Sequence, residues 1–177
     1  MSYDFSIPAT STSTDDSPRS YEQELFEGTP YFFRVIEVED ENRIIGGLEC
    51  RSCYMAALDQ DHRECARFYV NLRLPSNYDS LPTDKHWMIS RDMRVWQAMI
   101  AGYNSSKHLP QSNTIGDLKV LEGVMLKGEV KARQYTNKTG GTSWGYSIIY
   151  PKAYTLDDKI EEFERAKNAL SNDDIPF

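Results

Sequence analysis

Residues 66–74, ARFYVNLRL, alternate strictly between two kinds of side chain. The apolar set consists of Phe68, Val70, Leu72 and Leu74, and the second set consists of Arg67, Tyr69, Asn71 and Arg73. Successive side chains of a β-strand point to opposite faces of its sheet. The stretch therefore predicts a strand with one face in the core and an opposite face that is basic and aromatic.

Four other stretches have the composition of strands, with dense aromatic and β-branched residues. They are residues 31–39 (YFFRVIEVE), 48–58 (LECRSCYMAAL), 121–135 (LEGVMLKGEVKARQY) and 144–150 (WGYSIIY). Turns are predicted at Glu41-Asn42, at Gly46-Gly47 and at residues 59–62. The Gly-rich residues 136–143 (TNKTGGTS) predict a hairpin connection.

Two stretches have helical periodicity. In residues 90–101, Ser90 is a candidate N-cap and Gly102 a candidate stop. The expected buried side of this helix is Met93, Trp96, Ala98, Met99 and Ile100. In residues 156–170, acids load the start and bases the end, as the helix dipole favours. The apolar residues at helical spacing there are Ile160, Phe163, Ala166 and Leu170.

The predicted order is three strands, a helix and two strands. This order favours a mainly β fold, namely a five-stranded OB-type barrel with a helix between strands 3 and 4, plus a C-terminal helix and flexible ends. Another small β-barrel and an α+β sandwich are the alternatives. The expected organisation is a disordered acidic leader (1–24), the barrel domain (25–154), the helix (155–170) and an acidic tip (171–177).

The acidic charge is concentrated at the two ends of the chain. The net charge is -7, yet residues 63–154 carry 13 bases and seven acids. Residues 1–30 carry six acids and one base, and residues 155–177 carry seven acids and three bases. A mildly basic body between acidic ends is typical of a nucleic-acid-binding protein with regulatory tails. An unevenly charged solvated surface is the alternative.

The sequence contains no recognisable membrane signal. No run approaches the roughly 18 consecutive apolar residues of a membrane span. The N-terminal stretch MSYDFSIPATSTSTDDSPRS lacks the basic start and apolar segment of a secretory signal. We therefore expect a cytoplasmic protein with no membrane partner.

Basic and aromatic side chains recur on the predicted exposed faces of three strands. Bases of single-stranded nucleic acid stack on aromatic rings, while Lys and Arg follow the phosphates, without any need for sequence readout. The candidate DNA contacts are Arg67, Tyr69, Arg73, Lys127, Lys131, Arg133, Tyr135, Lys138, Trp144 and Tyr146. The alternative is that the aromatics fill the barrel and the bases only face water.

The last residues form a compact recognition element: Asp173, Asp174, Ile175, Pro176 and Phe177. A partner would need a small apolar pocket for the ring, a base for the terminal carboxylate and a basic rim for the aspartates. The proline stiffens the peptide and lowers the entropy lost on docking. An exposed apolar end after acids has no purpose in folding.

This tip resembles the acidic C-terminal tip of bacterial single-stranded DNA-binding proteins, which commonly ends in Asp-Asp-Ile-Pro-Phe. In that family the tip docks onto helicases, nucleases, primases and repair factors, and it can compete with DNA for the protein's own groove. The Gly/Gln/Pro-rich linker of that family is missing here, and a helix takes its place. The body looks like small OB proteins of bacteriophages in three segments: EGTPYFFRVIEVED, LDQDHRECARFYVNLRL and LEGVMLKGEV.

The resemblance implies sequence-tolerant binding and protection of single-stranded DNA in phage replication, recombination or repair. Host or phage enzymes would be recruited through the tip in the host cytoplasm, and a homo-oligomer is left open. The alternative is an adaptor or decoy that occupies host tip-binding pockets without coating DNA. We expect no enzyme and no cofactor, because phosphate-binding, zinc-protease and serine-hydrolase motifs are missing from the sequence. A nuclease metal site at Asp59, Asp61 and Glu64 is a remote third possibility.

The three cysteines lie close together in sequence. With His62, Cys50, Cys53 and Cys65 give C-x2-C-x8-H-x2-C, a set of ligands that zinc accepts. The predicted second strand runs through the first two, and residues three apart on a strand point to opposite faces. We therefore expect no metal and interpret the thiols as small apolar side chains, with zinc as the alternative.

Overall fold

A computed structural model describes residues 18–173 of the chain, and its side chains as far as residue 170. The strands are β1 (Tyr31–Ile45), β2 (Leu48–Leu58), β3 (Glu64–Arg73), β4 (Met125–Thr136) and β5 (Thr142–Ala153). The helices are α1, a single turn (Asn77–Ser80), α2 (Trp87–Ser106) and α3 (Leu156–Asp173). Two short 3-10 turns lie at Thr83–Lys85 and Leu118–Leu121.

The five strands form one sheet in the order β3-β2-β1-β4-β5. Strand β1 pairs antiparallel with both β2 and β4, and β2 pairs antiparallel with β3. The mainly β prediction, with five strands and a helix between the third and fourth, is confirmed. Within the described residues β3 and β5 are the two edges of the sheet, so strand pairing alone does not close it into a barrel.

The chain divides into two compact units. In the described part, the larger unit comprises Glu24–Ala132 and the residues from Tyr146 onward, and the smaller comprises Arg133–Gly145 with residues 18–23. In the smaller unit the backbone N–H of Tyr21 donates to the carbonyl of Thr142 at 2.8 Å. The extended residues 18–23 are therefore tied to the hairpin between β4 and β5.

The core of the larger unit lies between α2 and one face of the sheet. The predicted alternation of β3 is confirmed, because Phe68 is buried while Arg67 and Tyr69 are exposed. The ring of Phe68 meets the ring of Tyr146 in β5 edge-on, with centroids 5.8 Å apart. The two edge strands therefore meet through side chains in the core, although they are not hydrogen-bonded neighbours.

Helix α2 is longer at both ends than the sequence predicts. Ser90 is not its N-cap, because the helix begins at Trp87 and the Ser90 hydroxyl donates to the carbonyl of His86 at 3.0 Å. Gly102 does not stop the helix either. A Cβ at this position would lie 3.1 Å from the carbonyl oxygen of Met125, so the glycine allows a close approach to β4. The predicted buried side is confirmed, with Met93 only partly buried.

Strand boundaries also differ from the prediction, and the end of β1 and the start of β4 differ most. The turn predicted at Glu41-Asn42 is wrong, because β1 passes through it with a register irregularity and continues to Ile45. The chain reverses at Gly46 and Gly47, which both have positive φ angles that glycine adopts without steric cost. Strand β4 begins at Met125 rather than Leu121, since residues 118–121 form a 3-10 turn.

Candidate nucleic-acid interface

A stacked pair of tyrosines, one exposed and one half-buried, lies on the outer face of the sheet in the larger unit. Tyr54 of β2 lies directly across from Tyr69 of β3 in the strand register. Their rings stack with centroids 4.5 Å apart and planes at 27°. Tyr69 was predicted as a DNA contact and is 61% exposed. Tyr54 was missed, because the sequence does not show which residue of β2 faces which residue of β3.

Arg67 lies two residues before Tyr69 and therefore on the same face of β3. Its guanidinium donates two hydrogen bonds to the carboxylate of Glu64, one of them from Nη2 at 3.3 Å. These bonds raise the pKa of Arg67 and lower the pKa of Glu64. Further along the same face, the Ser52 hydroxyl donates to the side-chain oxygen of Asn71. The outer face of β2 and β3 thus presents a cation, stacked rings and an amide in a row.

Arg73, another predicted contact, holds β3 to α2. Its guanidinium donates to the carbonyl of Met88 at 3.0 Å and lies 3.4 Å from the Asp92 carboxylate. Its backbone N–H also donates to Asp92, at 2.9 Å. Burial raises the pKa of Asp92, and the bonds from Arg73 act in the opposite direction. The carbonyl of Arg73 accepts a hydrogen bond from the Trp96 indole at 2.9 Å.

Tyr146 also has partners within the fold. Its hydroxyl accepts hydrogen bonds from the backbone N–H groups of Glu24 at 2.9 Å and Leu25 at 3.3 Å. Since its ring packs against Phe68, both ends of this side chain are occupied. These contacts give Tyr146 a structural role that the sequence did not indicate.

The two lysines predicted on β4 in the larger unit differ in their surroundings. The Lys127 ammonium lies 3.1 Å from the carboxylate of Asp158 in α3 and is half-buried. Lys131 is exposed and has no ion-pair partner among residues 18–170. Of the two, Lys131 is the cation that a phosphate can reach without displacing a carboxylate.

The smaller unit carries the other four predicted contacts on its hairpin. Arg133, Tyr135 and Lys138 are exposed, and Trp144 is half-buried. The turn is held by the side-chain oxygen of Asn137, which accepts from the N–H groups of Thr139 at 3.1 Å and Gly141 at 3.0 Å. The hairpin alone therefore presents two cations and an exposed ring on an ordered turn.

Helix α3 is attached to the larger unit by a cluster around His62. The imidazole stacks on Phe32 with centroids 4.5 Å apart, and its Nε2 lies 3.2 Å from the Glu162 carboxylate. The Tyr154 hydroxyl donates to the same carboxylate. Burial, more than the bond to Glu162, raises the pKa of Tyr154. Beyond Glu162 every described residue of α3 is exposed.

The predicted recognition tip follows this exposed part of α3. Asp173 is the last residue of the helix. Its side chain and the residues Asp174, Ile175, Pro176 and Phe177 lie outside the described residues.

The proposed metal ligands are not brought together. Cys50 and Cys53 are buried and Cys65 is exposed. Burial raises the pKa of Cys53 to about 12, so its thiol stays protonated at neutral pH. Among the described residues no three His, Cys, Asp or Glu side chains are grouped so that they could hold a metal ion.

Two of the three acids of the third possibility, a nuclease site, have local partners instead. The Asp59 carboxylate accepts hydrogen bonds from the backbone N–H groups of Asp61 at 2.9 Å and Arg63 at 3.0 Å, and so holds the turn. Glu64 is paired with Arg67. Each contact explains one of the acids by local structure.

Comparison with known proteins does not assign the chain to a family. No family model matches it, and no curated protein does so either. Within residues 18–173, no helix is both long and apolar enough to cross a bilayer.

Proposed function

We propose that this protein binds single-stranded DNA without strong sequence preference, through the outer face of β2 and β3. The stacked pair of Tyr54 and Tyr69 is the observation that carries the proposal, since Tyr69 is 61% exposed and Tyr54 is half-buried beside it. Base–aromatic stacking contributes about 1–3 kcal/mol per base and tolerates any sequence, because every base has a π face. Arg67, on the same face, supplies the cation for a phosphate.

The arrangement of the elements supports an OB-type barrel as the finer description of the fold. The sheet order is that of an OB barrel opened between β3 and β5, and the contact of Phe68 with Tyr146 brings these two strands together. OB-folds bind oligonucleotides on the face of strands 2 and 3 and on the loops that join strands 1–2 and 4–5. Here these loops are the Gly46-Gly47 turn and residues 137–141 with Lys138.

The C-terminal residues complete the proposal. We infer that the tip recruits replication, recombination or repair proteins, through its resemblance to the bacterial tips. The described contacts of α3 with Lys127, His62 and Tyr154 lie in its first half, and residues 163–170 are exposed. A tip that follows such an exposed helix would be open to a partner.

A binding titration tests the DNA-binding half of the proposal. Fluorescence anisotropy with a labelled oligo-dT is expected to show binding that exceeds that of a duplex and weakens with salt, because phosphate contacts release counterions. Replacing both Tyr54 and Tyr69 with Ala should weaken binding by about 1–3 kcal/mol for each base that loses its stack. Tyr21→Ala, which removes another exposed tyrosine, is the matched control. Undetectable or salt-independent binding at low ionic strength would overturn the proposal.

An adaptor or decoy without DNA binding is the second candidate. It is favoured by the net charge of -7 and by the carboxylate partners of Arg67, Arg73 and Lys127, which reduce the charge available to phosphates. A pull-down from bacterial lysate with full-length protein, and with protein lacking residues 173–177, tests the tip that both candidates share. Equal recovery of the same partners by both proteins would rule out the tip as the recruiting element.

A further inference from the structure

A cleft away from the Tyr54–Tyr69 pair is lined by a second group of polar and aromatic side chains. The cleft has a volume of about 270 Å³ and lies in the larger unit, between the start of β1, the first half of β4 and the end of β5. The residues that matter for its chemistry are Gln60, Lys127, Glu129, Tyr150 and Lys152. Of these, only Lys127 is a DNA contact that the sequence predicts.

Tyr150 is the unusual residue of this cleft. Its φ angle is positive, in the left-handed region that a bulky side chain rarely adopts. The side chain is 70% exposed, although it belongs to β5. Among the described residues its hydroxyl has no hydrogen-bond partner and its ring stacks on no other ring. No hydrogen bond or ring contact among the described residues therefore accounts for a tyrosine in this conformation, and strained residues of this kind cluster at ligand sites.

One cation at the cleft is available to an anionic group beside the ring. Lys152 is exposed and forms no ion pair within residues 18–170. Lys127 is already paired with Asp158, and Glu129 contributes a negative charge at the rim. Lys152 is thus the one cation of this cleft that a ligand can engage without breaking an ion pair.

A polar group is also available for a base edge. The side-chain amide nitrogen of Gln60 donates to the carbonyl of Pro30 at 2.9 Å, which holds the amide in place. Its side-chain oxygen has no partner among the described residues and can accept from an amino or imino group. One nucleotide could use all three groups: the ring of Tyr150 for the base, the side-chain oxygen of Gln60 for the base edge and the ammonium of Lys152 for the phosphate.

We propose that this cleft is a second nucleotide subsite, in which Tyr150 stacks on a base and Lys152 binds the adjacent phosphate of the same single strand. The subsite is built from β1, β4 and β5, and so differs from the Tyr54–Tyr69 pair on β2 and β3. This inference rests on the proposed function, because it gives single-stranded DNA an additional point of contact.

Three variants test the subsite in the full-length protein. Tyr150→Asn removes the ring but suits the left-handed backbone, Tyr150→Phe keeps the ring, and Lys152→Gln removes the charge. We expect oligo-dT affinity to fall roughly five-fold or more in Tyr150→Asn, by the lower bound for one base stack, and to change less than about two-fold in Tyr150→Phe. Lys152→Gln should reduce the slope of log affinity against log salt by about 0.7, the value for one single-strand phosphate contact.

The outcomes separate this inference from the proposed function. If the wild-type protein binds oligo-dT and Tyr150→Asn binds it equally well, the subsite is wrong and the proposed function stands. If the wild-type protein does not bind oligo-dT at all, the proposed function fails first. If thymidine monophosphate binds in a Tyr150-dependent manner while oligo-dT affinity is unchanged, the cleft takes a free nucleotide and the strand assignment is overturned.

A crosslinking experiment checks direct contact without relying on affinity. Oligonucleotides with 5-iodouracil form photo-adducts with aromatic rings that stack on the base. We expect an adduct at Tyr150 in wild-type protein, mapped by mass spectrometry. Adducts confined to Tyr54 and Tyr69 would overturn the subsite even if the Tyr150 variants fold poorly.

Discussion

Helices α2 and α3 have similar sequence patterns and opposite environments. Both show apolar residues at helical spacing. In α2 the side chains of Ile89 and Met99 are fully buried. In α3 those of Ile160, Phe163 and Leu170 are 50%, 71% and 68% exposed. Periodicity therefore predicts that a helix forms, but it does not predict whether the apolar side of that helix is buried in the fold.

The reason lies in how each helix is attached. Helix α2 fills the inner face of the sheet with its apolar side. Helix α3 is attached by polar side chains, since Asp158 pairs with Lys127 and Glu162 with His62. At 3.6 residues per turn, Asp158 and Glu162 share one side of the helix, and Ile160 and Phe163 lie about 100–200° away from Glu162. Docking through the polar side thus turns the apolar stripe outward.

Truncation in α2 is expected to have the largest effect on stability. Met99→Ala should lower the free energy of unfolding by about 2–5 kcal/mol, because it leaves a cavity in a packed core. Urea denaturation followed by circular dichroism measures the loss. An effect below about 1 kcal/mol would mean that α2 is not packed into the core as described.

Breaking the contact between α2 and β3 is expected to have the second-largest effect on stability. Arg73→Met leaves the buried Asp92 carboxylate without its cation, and we expect a loss of about 1–3 kcal/mol at neutral pH. Because the pKa of Asp92 is raised above 3.8 in the folded state, its contribution to stability is present at lower pH and is lost as the pH rises. Removal of Arg73 raises this pKa further, so the loss should grow from pH 4 to pH 7.

A second variant isolates this pH dependence. Asp92→Asn removes the titrating group, so combining it with Arg73→Met should abolish the growth of the loss between pH 4 and pH 7. Urea denaturation at several pH values checks this. A slope that persists in the double variant would assign the titration to another group.

Glu162, which attaches α3 to the larger unit, should contribute less to the free energy of unfolding. Glu162→Gln weakens the contacts to His62 and Tyr154. The side chains of His62 and Glu162 are 38% and 30% exposed, so the expected cost is about 0.2–1 kcal/mol. Hydrogen exchange should become faster in α3 and stay unchanged in α2. Glu161→Gln is the matched control, because its side chain is 67% exposed and its ion pair with Arg165 is long, at 3.7 Å. Equal acceleration in both variants would contradict the anchoring role.

Truncation of the α3 stripe is expected to have the smallest effect. Phe163→Ala should change the free energy of unfolding by only a few tenths of a kcal/mol, because substitutions at exposed positions leave no cavity in the core. The measurement is the same urea denaturation used for Met99→Ala. A loss above about 1 kcal/mol that depends on protein concentration would show that a second copy covers the stripe.

The amino-acid sequence by itself determined the five strands, the two long helices and the exposed face of β3. These features depend on local spacing: a period of two places Phe68 inside and Tyr69 outside, and a period near 3.6 marks α2 and α3. Local spacing also identified Arg67 and Tyr69 as members of the candidate site. The alternation of side chains between the two faces of one strand does not depend on the rest of the chain.

Tertiary structure alone decided which residues meet across elements. Tyr54 stacks on Tyr69 because of the register of β2 and β3, and Arg73 donates to a carboxylate 19 residues away. Gly102 lies inside α2 because β4 passes too close to leave room for a side chain. Tertiary structure also decided that the apolar side of α3 is exposed, because α2 covers the inner face of the sheet. Such contacts arise from packing between segments distant in sequence. The pattern within one segment does not show which other segment it will contact in the folded protein.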